Sequence, residues 1–260
     1  YCIDLGDGAD MGSLNSYDTR KPENIVSQNY EDDINSYNDS QERIRHEFNK
    51  NKKRKPKFIG FEGNHENRIK TAIAHDPRVH GVRYGVSFSH LNVRRFFDDY
   101  HEYHCGAPAI ECIDGVDYSH FIGAGNFGRA ISGCHHAYGL VQKRYRSATV
   151  GHSHKRSMYF KDEANAIGAV VGCYKGGDEG WAGQSNSEWW KGVLIKRIFE
   201  KIPAGYEKKL ALNFEIIGKV KSLRDFFALL FFVSFSFLKS RVLILSLIFI
   251  YDNKFMFKCY

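Results

Sequence analysis

Short apolar runs alternate with longer amphipathic stretches in the first third of this sequence and predict an α/β fold. Residues 2–7, "CIDLGD", and 57–63, "KFIGFEG", are typical of buried strands that end at a glycine turn. Apolar positions at helical spacing predict one helix over about 32–50 and a second over 64–75. Strands and helices that alternate in this way are typical of layered α/β folds with parallel strands.

The pattern changes after residue 80, where short strands and turns predict an antiparallel region. Two apolar runs flank Asp114 and Gly115 within 108–121, which is a strong signal for a β-hairpin. Residues 126–145 predict a helix, and 148–151 predict a strand that ends at a glycine. Four further strands are predicted, at 157–160, 166–172, 191–199 and 210–218.

The composition changes after Gly218, and we divide the chain there into residues 1–218 and a hydrophobic tail, residues 219–260. Residues 226–260 contain no Gly, Pro or Glu, and a cationic segment separates their apolar runs of 13 and 10 residues. Each run is shorter than the roughly 20 residues that a transmembrane helix needs. We favour translation outside the native frame as the origin of this tail; a membrane-associated tail and a domain-swapped core helix are the alternatives.

The net charge of +7 is unevenly distributed, which weakens the case for a nucleic-acid-binding surface. Residues 219–260 carry a net charge of +5, so residues 1–218 carry only +2. The one concentrated basic run, 49–57, is more often a solvated loop or helix end than a phosphate site. The six cysteines include no C-x-x-C pair, which disfavours a zinc ribbon and a disulfide framework. We expect free thiols and a cytoplasmic protein.

Carboxylate, carboxamide and imidazole side chains directly follow several predicted strands. The first strand leads to Asp7 and Asp10, the second leads to Asn64 and His65, and the hairpin ends at His120. In α/β folds the ends of the strands are where ligands usually bind. We therefore expect these side chains to converge on one site.

The segment "VGHSHK" adds His152 and His154 after another predicted strand. An H-x-H pair seen alone is more often two solvated loop histidines than a metal site. On an extended backbone, side chains two positions apart point to the same face, so both imidazoles could approach one object. A metal centre is the candidate.

Together these residue types suit a site for two divalent cations. Cations about 4 Å apart repel each other, so a carboxylate must bridge them, and Asp7 on its tight glycine turn is the candidate. Asn64 adds an oxygen ligand without charge, and imidazoles favour Mn, Fe or Zn over Mg or Ca. His65 could act as a general acid on a leaving oxygen, with Asp10 holding its ring and keeping it basic.

The blocks "GDGAD", "GNHE", a strand-end histidine and "GHSH", in this order, resemble the calcineurin-like metallophosphoesterase superfamily, of phage and bacterial type, over roughly residues 1–200. The resemblance implies a four-layer αββα sandwich, two divalent metal ions and hydrolysis of a phosphate ester. It assigns five metal ligands: Asp7 as the bridge, Asn64, His120 and His152 for one ion, and His154 for the other. The two residues that match the acid pair of the family are His65 and Asp10.

Two features depart from the family pattern. The family begins with a D-x-H block on an earlier strand, and no residue precedes Tyr1, so we expect a domain that lacks its first strand and two ligands of one metal. Protein Ser/Thr phosphatases carry an arginine after the second aspartate of "GD-x-x-D", where this chain has Met11. Its absence disfavours a phosphoprotein substrate.

Some assignments stay open at this point. His135 and His136 compete with His120, which we prefer because it ends a strand. Arg68 could neutralise a substrate phosphate or form an ordinary ion pair.

We predict a hydrolase of phosphodiesters or nucleotides. The alternatives are a phage-type nuclease subunit, for which nucleic acid would be the partner, and an inactive remnant that serves as a binding module. We do not expect a membrane partner.

Overall fold

The protein is a mixed α/β fold with several sheets and helices. A computed structural model describes residues 1–16, 28–50, 55–174, 182–199, 211–218 and 242–247; of these, 197–199, 211–218 and 242–247 are described by secondary structure and strand pairing alone.

Four α-helices lie within the described ranges. Their bounds are α1 Tyr30–Asn49, α2 Asn67–His75, α3 Val93–Phe96 and α4 His136–Arg144. The side chain of Asn29 caps α1 by accepting a hydrogen bond from the Glu31 amide, and three acidic residues occupy the first turn. Acidic side chains near a helix N-terminus complement its dipole, so the sequence favours a helix start here. The predicted helices over 32–50 and 64–75 correspond to α1 and α2.

The first sheet has six described strands in the order β12-β11-β13-β1-β2-β3. Their bounds are β1 Cys2–Asp4, β2 Phe58–Phe61, β3 Asp99–His101, β11 Gly192–Phe199, β12 Ala211–Gly218 and β13 Val242–Leu247. Strands β13, β1, β2 and β3 run parallel, whereas β11 is antiparallel to both of its neighbours. The parallel β1–β2 pair agrees with the α/β pattern of the sequence.

The second sheet has five described strands in the order β4-β5-β8-β10-β9. Their bounds are β4 Glu111–Ile113, β5 Val116–Ser119, β8 Ala148–Val150, β9 Ser157–Lys161 and β10 Ala166–Val170. Strands β5, β8 and β10 are parallel, and the predicted hairpin around Asp114 and Gly115 is the β4–β5 pair. A separate two-stranded sheet pairs β6 Gly123–Ala124 with β7 Arg129–Ala130.

Alternate residues of the strands enter different hydrophobic clusters, as the period of two in a strand requires. Ile3 and Ile59 pack with Tyr118 and Ala169 in a cluster that joins the two large sheets. Their neighbours along the chain face the other way: Cys2 and Phe58 pack with residues of α1. The ends of β1, β2 and β5 therefore lie around one shared core, and β8 is the parallel neighbour of β5.

The helix predicted over 126–145 is wrong in its first half. Gly125 and Gly128 adopt positive φ angles, and the segment forms the turn of the β6–β7 hairpin. Glycine adopts such angles at little cost, so two glycines three residues apart favour a turn over a helix. The helical part begins only at His136.

In the hydrophobic tail, 242–247 is not a helix but strand β13, which lies between β1 and β11, parallel to β1 and antiparallel to β11. The described part of the tail thus pairs with strands on the other side of the proposed boundary at residue 218. The rest of residues 219–260 lies outside the described ranges.

None of the five described cysteines forms a disulfide. No helix among the described residues has the length and apolar character that crossing a membrane requires.

Candidate metal centre

Two pairs of neighbouring parallel strands deliver four side chains to one site. Asp7 and Asn64 follow β1 and β2, which are adjacent in the first sheet. His120 and His152 follow β5 and β8, which are adjacent in the second sheet. Because both pairs end at the same side of the shared core, the four side chains meet between the sheets.

The candidate ligand atoms lie at distances that suit a common ion. The Asn64 Oδ1 atom is 2.9 Å from His120 Nε2 and 2.8 Å from His152 Nδ1, and the two imidazole nitrogens are 3.1 Å apart. Asp7 Oδ2 is 3.3 Å from His120 Nε2. Ligands about 2.1 Å from a single ion lie roughly 3.0–3.4 Å from one another, so this spacing matches a coordination sphere.

The tautomer of His120 strengthens this interpretation. Its Nδ1 atom is 2.7 Å from the Leu5 carbonyl oxygen, which can only accept, so Nδ1 carries a proton. In the neutral ring Nε2 then presents a lone pair toward the oxygens of Asn64 and Asp7. The lone pairs of Nε2 and of the Asp7 carboxylate repel each other at this distance, and a proton on His120 or a bound cation would remove that repulsion.

The electrostatics of the cluster follow from burial and mutual contact. Burial lowers the pKa of His152 to about 4, which leaves its ring neutral at pH 7. Burial alone would lower the pKa of His120 and raise that of Asp7, but their attraction outweighs it and shifts both in the opposite direction. Asp7 is therefore a carboxylate at neutral pH. Its carboxylate and the rings of His120 and His152 each offer a ligand atom, and these three atoms all lie within 4.8 Å of one another.

The glycines of "GD" and "GN" are required by close contact between the two loops. A Cβ on Gly6, whose φ is +90°, would lie 2.5 Å from the Gly63 nitrogen, and a Cβ on Gly63 would lie 2.2 Å from Asp7 Oδ1. Side chains do not fit at such distances. Asp7 itself adopts a φ of 59°, a conformation that aspartate tolerates better than most residues.

The predicted acid pair lies beside this cluster. His65 Nδ1 is 2.8 Å from Asp10 Oδ1, and the backbone amide of His65 donates to Asp7 Oδ1 at 3.0 Å. Burial alone would lower the pKa of His65, but the carboxylates of Asp7 and Asp10 raise it above its ordinary value. The histidine is thus held close to the candidate ligands and kept basic.

Arg68 is part of the same arrangement. Its Nη1 atom donates to the carbonyl oxygen of Asp10 at 2.8 Å, and its Nη2 atom lies 3.3 Å from His65 Nε2. The guanidinium therefore contacts both members of the acid pair. Its assignment to substrate phosphate stays a prediction.

The H-x-H segment differs from the extended backbone that the sequence suggested. Strand β8 ends at Val150, and both His152 and His154 adopt positive φ angles. His152 joins the cluster, whereas the buried ring of His154 lies edge-on to Trp189, with 4.4 Å between ring centroids. The assumption that the two rings share one face of a strand was wrong, and a metal-binding role for His154 stays a prediction.

The two histidines that competed with His120 lie elsewhere. His135 is exposed, and His136 is buried at the start of α4, which packs on the outer side of the second sheet. His120 is fully buried within the cluster.

One residue of the site was missed by the sequence analysis. Glu66 is buried, and its carboxylate accepts backbone hydrogen bonds from Asp7, Ala9 and Gly63. The only sequence signal was its position as the last letter of "GNHE". All three bonding partners precede Glu66 in the chain: Asp7 by 59 residues, Ala9 by 57 and Gly63 by three. The two distant contacts leave no local pattern in the sequence.

No family model matches, and neither a curated protein nor a solved structure gives a significant match.

Proposed function

We propose that this protein is a metal-dependent hydrolase of phosphate esters, with a phosphodiester or nucleotide as the substrate. The observation that carries the proposal is the cluster of Asp7, Asn64, His120 and His152, whose ligand atoms lie 2.8 to 3.3 Å from their neighbours beside the His65–Asp10 pair.

The residues fit a divalent ion of the transition series. Two imidazole nitrogens, one carboxylate and one carboxamide oxygen form a mixed N/O set that favours Mn, Fe or Zn. A bound ion of this kind supplies positive charge for a phosphate group and lowers the pKa of a coordinated water. We propose that Asp7 and His154 would hold a second ion of the same kind.

His65 is the proposed general acid. Asp10 holds Nδ1, so Nε2 is the atom left to deliver a proton to the leaving oxygen. In the described arrangement Arg68 Nη2 lies 3.3 Å from that atom. A substrate phosphate that attracted the guanidinium would uncover Nε2, because a guanidinium pairs strongly with phosphate oxygens.

The arrangement of layers also supports the proposal. Helix α1 packs on the outer side of the first sheet, and α4 packs on the outer side of the second. We propose that this is the four-layer αββα sandwich of the calcineurin-like metallophosphoesterases, with the ligands at the strand ends between the two inner layers.

The test is hydrolysis of bis-p-nitrophenyl phosphate with Mn²⁺, together with metal analysis of two variants. His65→Ala should lower turnover by about 10²–10⁴-fold while metal content stays near that of the wild type, because His65 delivers a proton and binds no ion. Asp7→Ala should lose metal and activity together. His75→Ala, at the exposed end of α2, is the matched histidine control and should change neither.

Equal loss of metal in the His65 and Asp7 variants would contradict the separate roles given to these residues. A wild-type protein that binds metal but hydrolyses no phosphate ester would favour the non-catalytic binding module. Activity on DNA but not on the small diester would favour the nuclease.

A further inference from the structure

The loops that carry two candidate ligands are joined by the buried carboxylate of Glu66. Its Oε2 atom accepts hydrogen bonds from the amides of Asp7, at 3.0 Å, and Gly63, at 2.9 Å. Its Oε1 atom accepts from the amide of Ala9 at 2.8 Å. Two donors belong to the loop after β1 and one to the loop after β2, so one side chain fixes both.

The loop after β1 needs such a contact. Asp7 is held at a φ of 59°, which is sparsely populated for residues other than glycine. The surrounding contacts must maintain that conformation, and the bond from the Asp7 amide to Glu66 acts on that residue itself. The conformation decides where the Asp7 carboxylate points and hence its 3.3 Å separation from His120.

The chemistry of the three contacts calls for a carboxylate. A carboxylate offers two acceptor oxygens and no donor, whereas an amide side chain offers one oxygen and places an NH₂ group where the other oxygen stood. In a glutamine at this position, the NH₂ group would face at least one of the three backbone N–H groups. The geometry is therefore matched to glutamate in a way that size alone does not explain.

We propose that Glu66 is a positioning residue for the metal centre: it binds no ion, but it orients Asp7 and the loop of Asn64 so that their oxygens meet the two imidazoles. This inference rests on the proposed metal site and goes beyond it, because Glu66 lies outside the set of ligands and outside the acid pair.

Glu62 provides a matched control. It is the same residue type four positions earlier, its side chain is also fully buried, and it also accepts a backbone hydrogen bond, from the Tyr103 amide at 2.7 Å. Its other side-chain partner is Lys70, and within the described residues its carboxylate forms no hydrogen bond with the loop of Asp7 or with Gly63. Glu62→Gln therefore perturbs a buried carboxylate without changing the support of the ligands.

The experiment is a titration of the metal-free protein with Mn²⁺ by calorimetry, and with Co²⁺ by its visible absorption spectrum. Loss of an outer-shell partner typically costs 10–100-fold in metal affinity, so Glu66→Gln should raise the Kd for Mn²⁺ by roughly that factor and change the Co²⁺ spectrum. Glu62→Gln should leave the Kd for Mn²⁺ within about twofold of the wild type and the Co²⁺ spectrum unchanged. This holds even if the Tm of Glu62→Gln falls as far as that of Glu66→Gln.

A direct readout needs no metal. Amide hydrogen exchange followed by NMR in the metal-free protein should show protection of the Ala9 amide, reduced in Glu66→Gln and kept in Glu62→Gln. Where Glu66→Gln fails to fold, Glu66→Asp keeps the charge but withdraws the carboxylate by one methylene, and the same weakening of Mn²⁺ binding is expected.

Wild-type affinity and spectrum in a folded Glu66 variant would overturn the proposal, and so would equal weakening in Glu62→Gln. These outcomes are distinct from failure of the proposed function, because no hydrolysis is measured. A wild-type chain that binds Mn²⁺ but hydrolyses nothing leaves the role of Glu66 intact, whereas a wild-type chain that binds no metal overturns both.

Discussion

The amine of Lys196, on β11, is buried in the core, and its hydrogen-bond partners within the described part of the chain include no carboxylate. Its Nζ atom donates to the hydroxyls of Tyr118, at 2.8 Å, and Thr149, and only 1% of the residue is exposed. Burial lowers the pKa of Lys196 from 10.5 to about 7. We predict that this lysine makes the protein less stable at low pH, and that Lys196→Met removes this dependence.

The magnitude follows from the two pKa values. The difference of about 3.5 pH units corresponds to roughly 5 kcal/mol at 1.36 kcal/mol per unit. Because the folded pKa is the lower one, the unfolded chain binds more protons between pH 7 and 10.5, and the free energy of unfolding rises with pH in that window. The full cost applies below pH 7, and about 2.7 kcal/mol of it is recovered between pH 6 and 9.

The assay is urea denaturation at pH 6, 7.5 and 9. The wild type should gain about 2–3 kcal/mol over Lys196→Met between the lowest and highest pH. The other titrating groups are common to both proteins and cancel in this comparison. Tyr118 stays neutral throughout, since burial raises the pKa of its phenol. Lys143→Met, at an exposed position of α4, should keep the wild-type dependence.

An identical change with pH in the wild type and in Lys196→Met would refute this reasoning. The absolute stability of the variant is a poorer test, because the two hydroxyls lose their partner, at a cost of about 1–3 kcal/mol each.

Two further substitutions test the packing around and away from the site. Gly63→Ala should weaken metal binding and destabilise the protein by about 1–3 kcal/mol, because the new Cβ would lie 2.2 Å from Asp7 Oδ1. Calorimetric titration measures the first effect and thermal denaturation the second. The control is Gly139→Ala, whose Cβ would meet only the end of a side chain. Asp117→Ala should cost about 1–3 kcal/mol in urea denaturation, because it removes the partner of Arg144 and Arg146, whose guanidinium groups are themselves partly exposed. Metal affinity should stay unchanged in this variant, and loss of metal binding would contradict the location assigned to the site.

The strands that deliver the ligands could be predicted because each is a short apolar run that ends at a chemically distinctive residue. Asp7, Asn64 and His120 were placed at strand ends from this pattern alone, and the structure brings them together. For Asp7 and Asn64 the prediction needed only that neighbouring parallel strands end at the same edge of a sheet. His120 belongs to the second sheet, where the predicted antiparallel arrangement was wrong for the parallel strands β5, β8 and β10.

The features that the sequence did not predict depend on backbone conformation or on distant partners. The left-handed backbone of His152 and His154 has no signal in "GHSH", so the extended interpretation failed there. Glu66 bonds to backbone amides, which every residue carries. Lys196 was missed because a lysine within an apolar strand is usually expected to point to solvent. Here its amine instead donates hydrogen bonds to two hydroxyl groups of the facing sheet.

The central claim is that Asp7, Asn64, His120 and His152 bind one metal ion together. The measurement that tests it most directly is calorimetric titration of metal-free protein with Mn²⁺, in the wild type and in His120→Ala, with the buried His136→Ala as the matched control. We predict saturable binding in the wild type and in His136→Ala, and a loss in His120→Ala greater than the roughly 10–100-fold caused by removal of an outer-shell partner. Equal affinity in all three proteins, or no saturable binding in the wild type, would contradict the account.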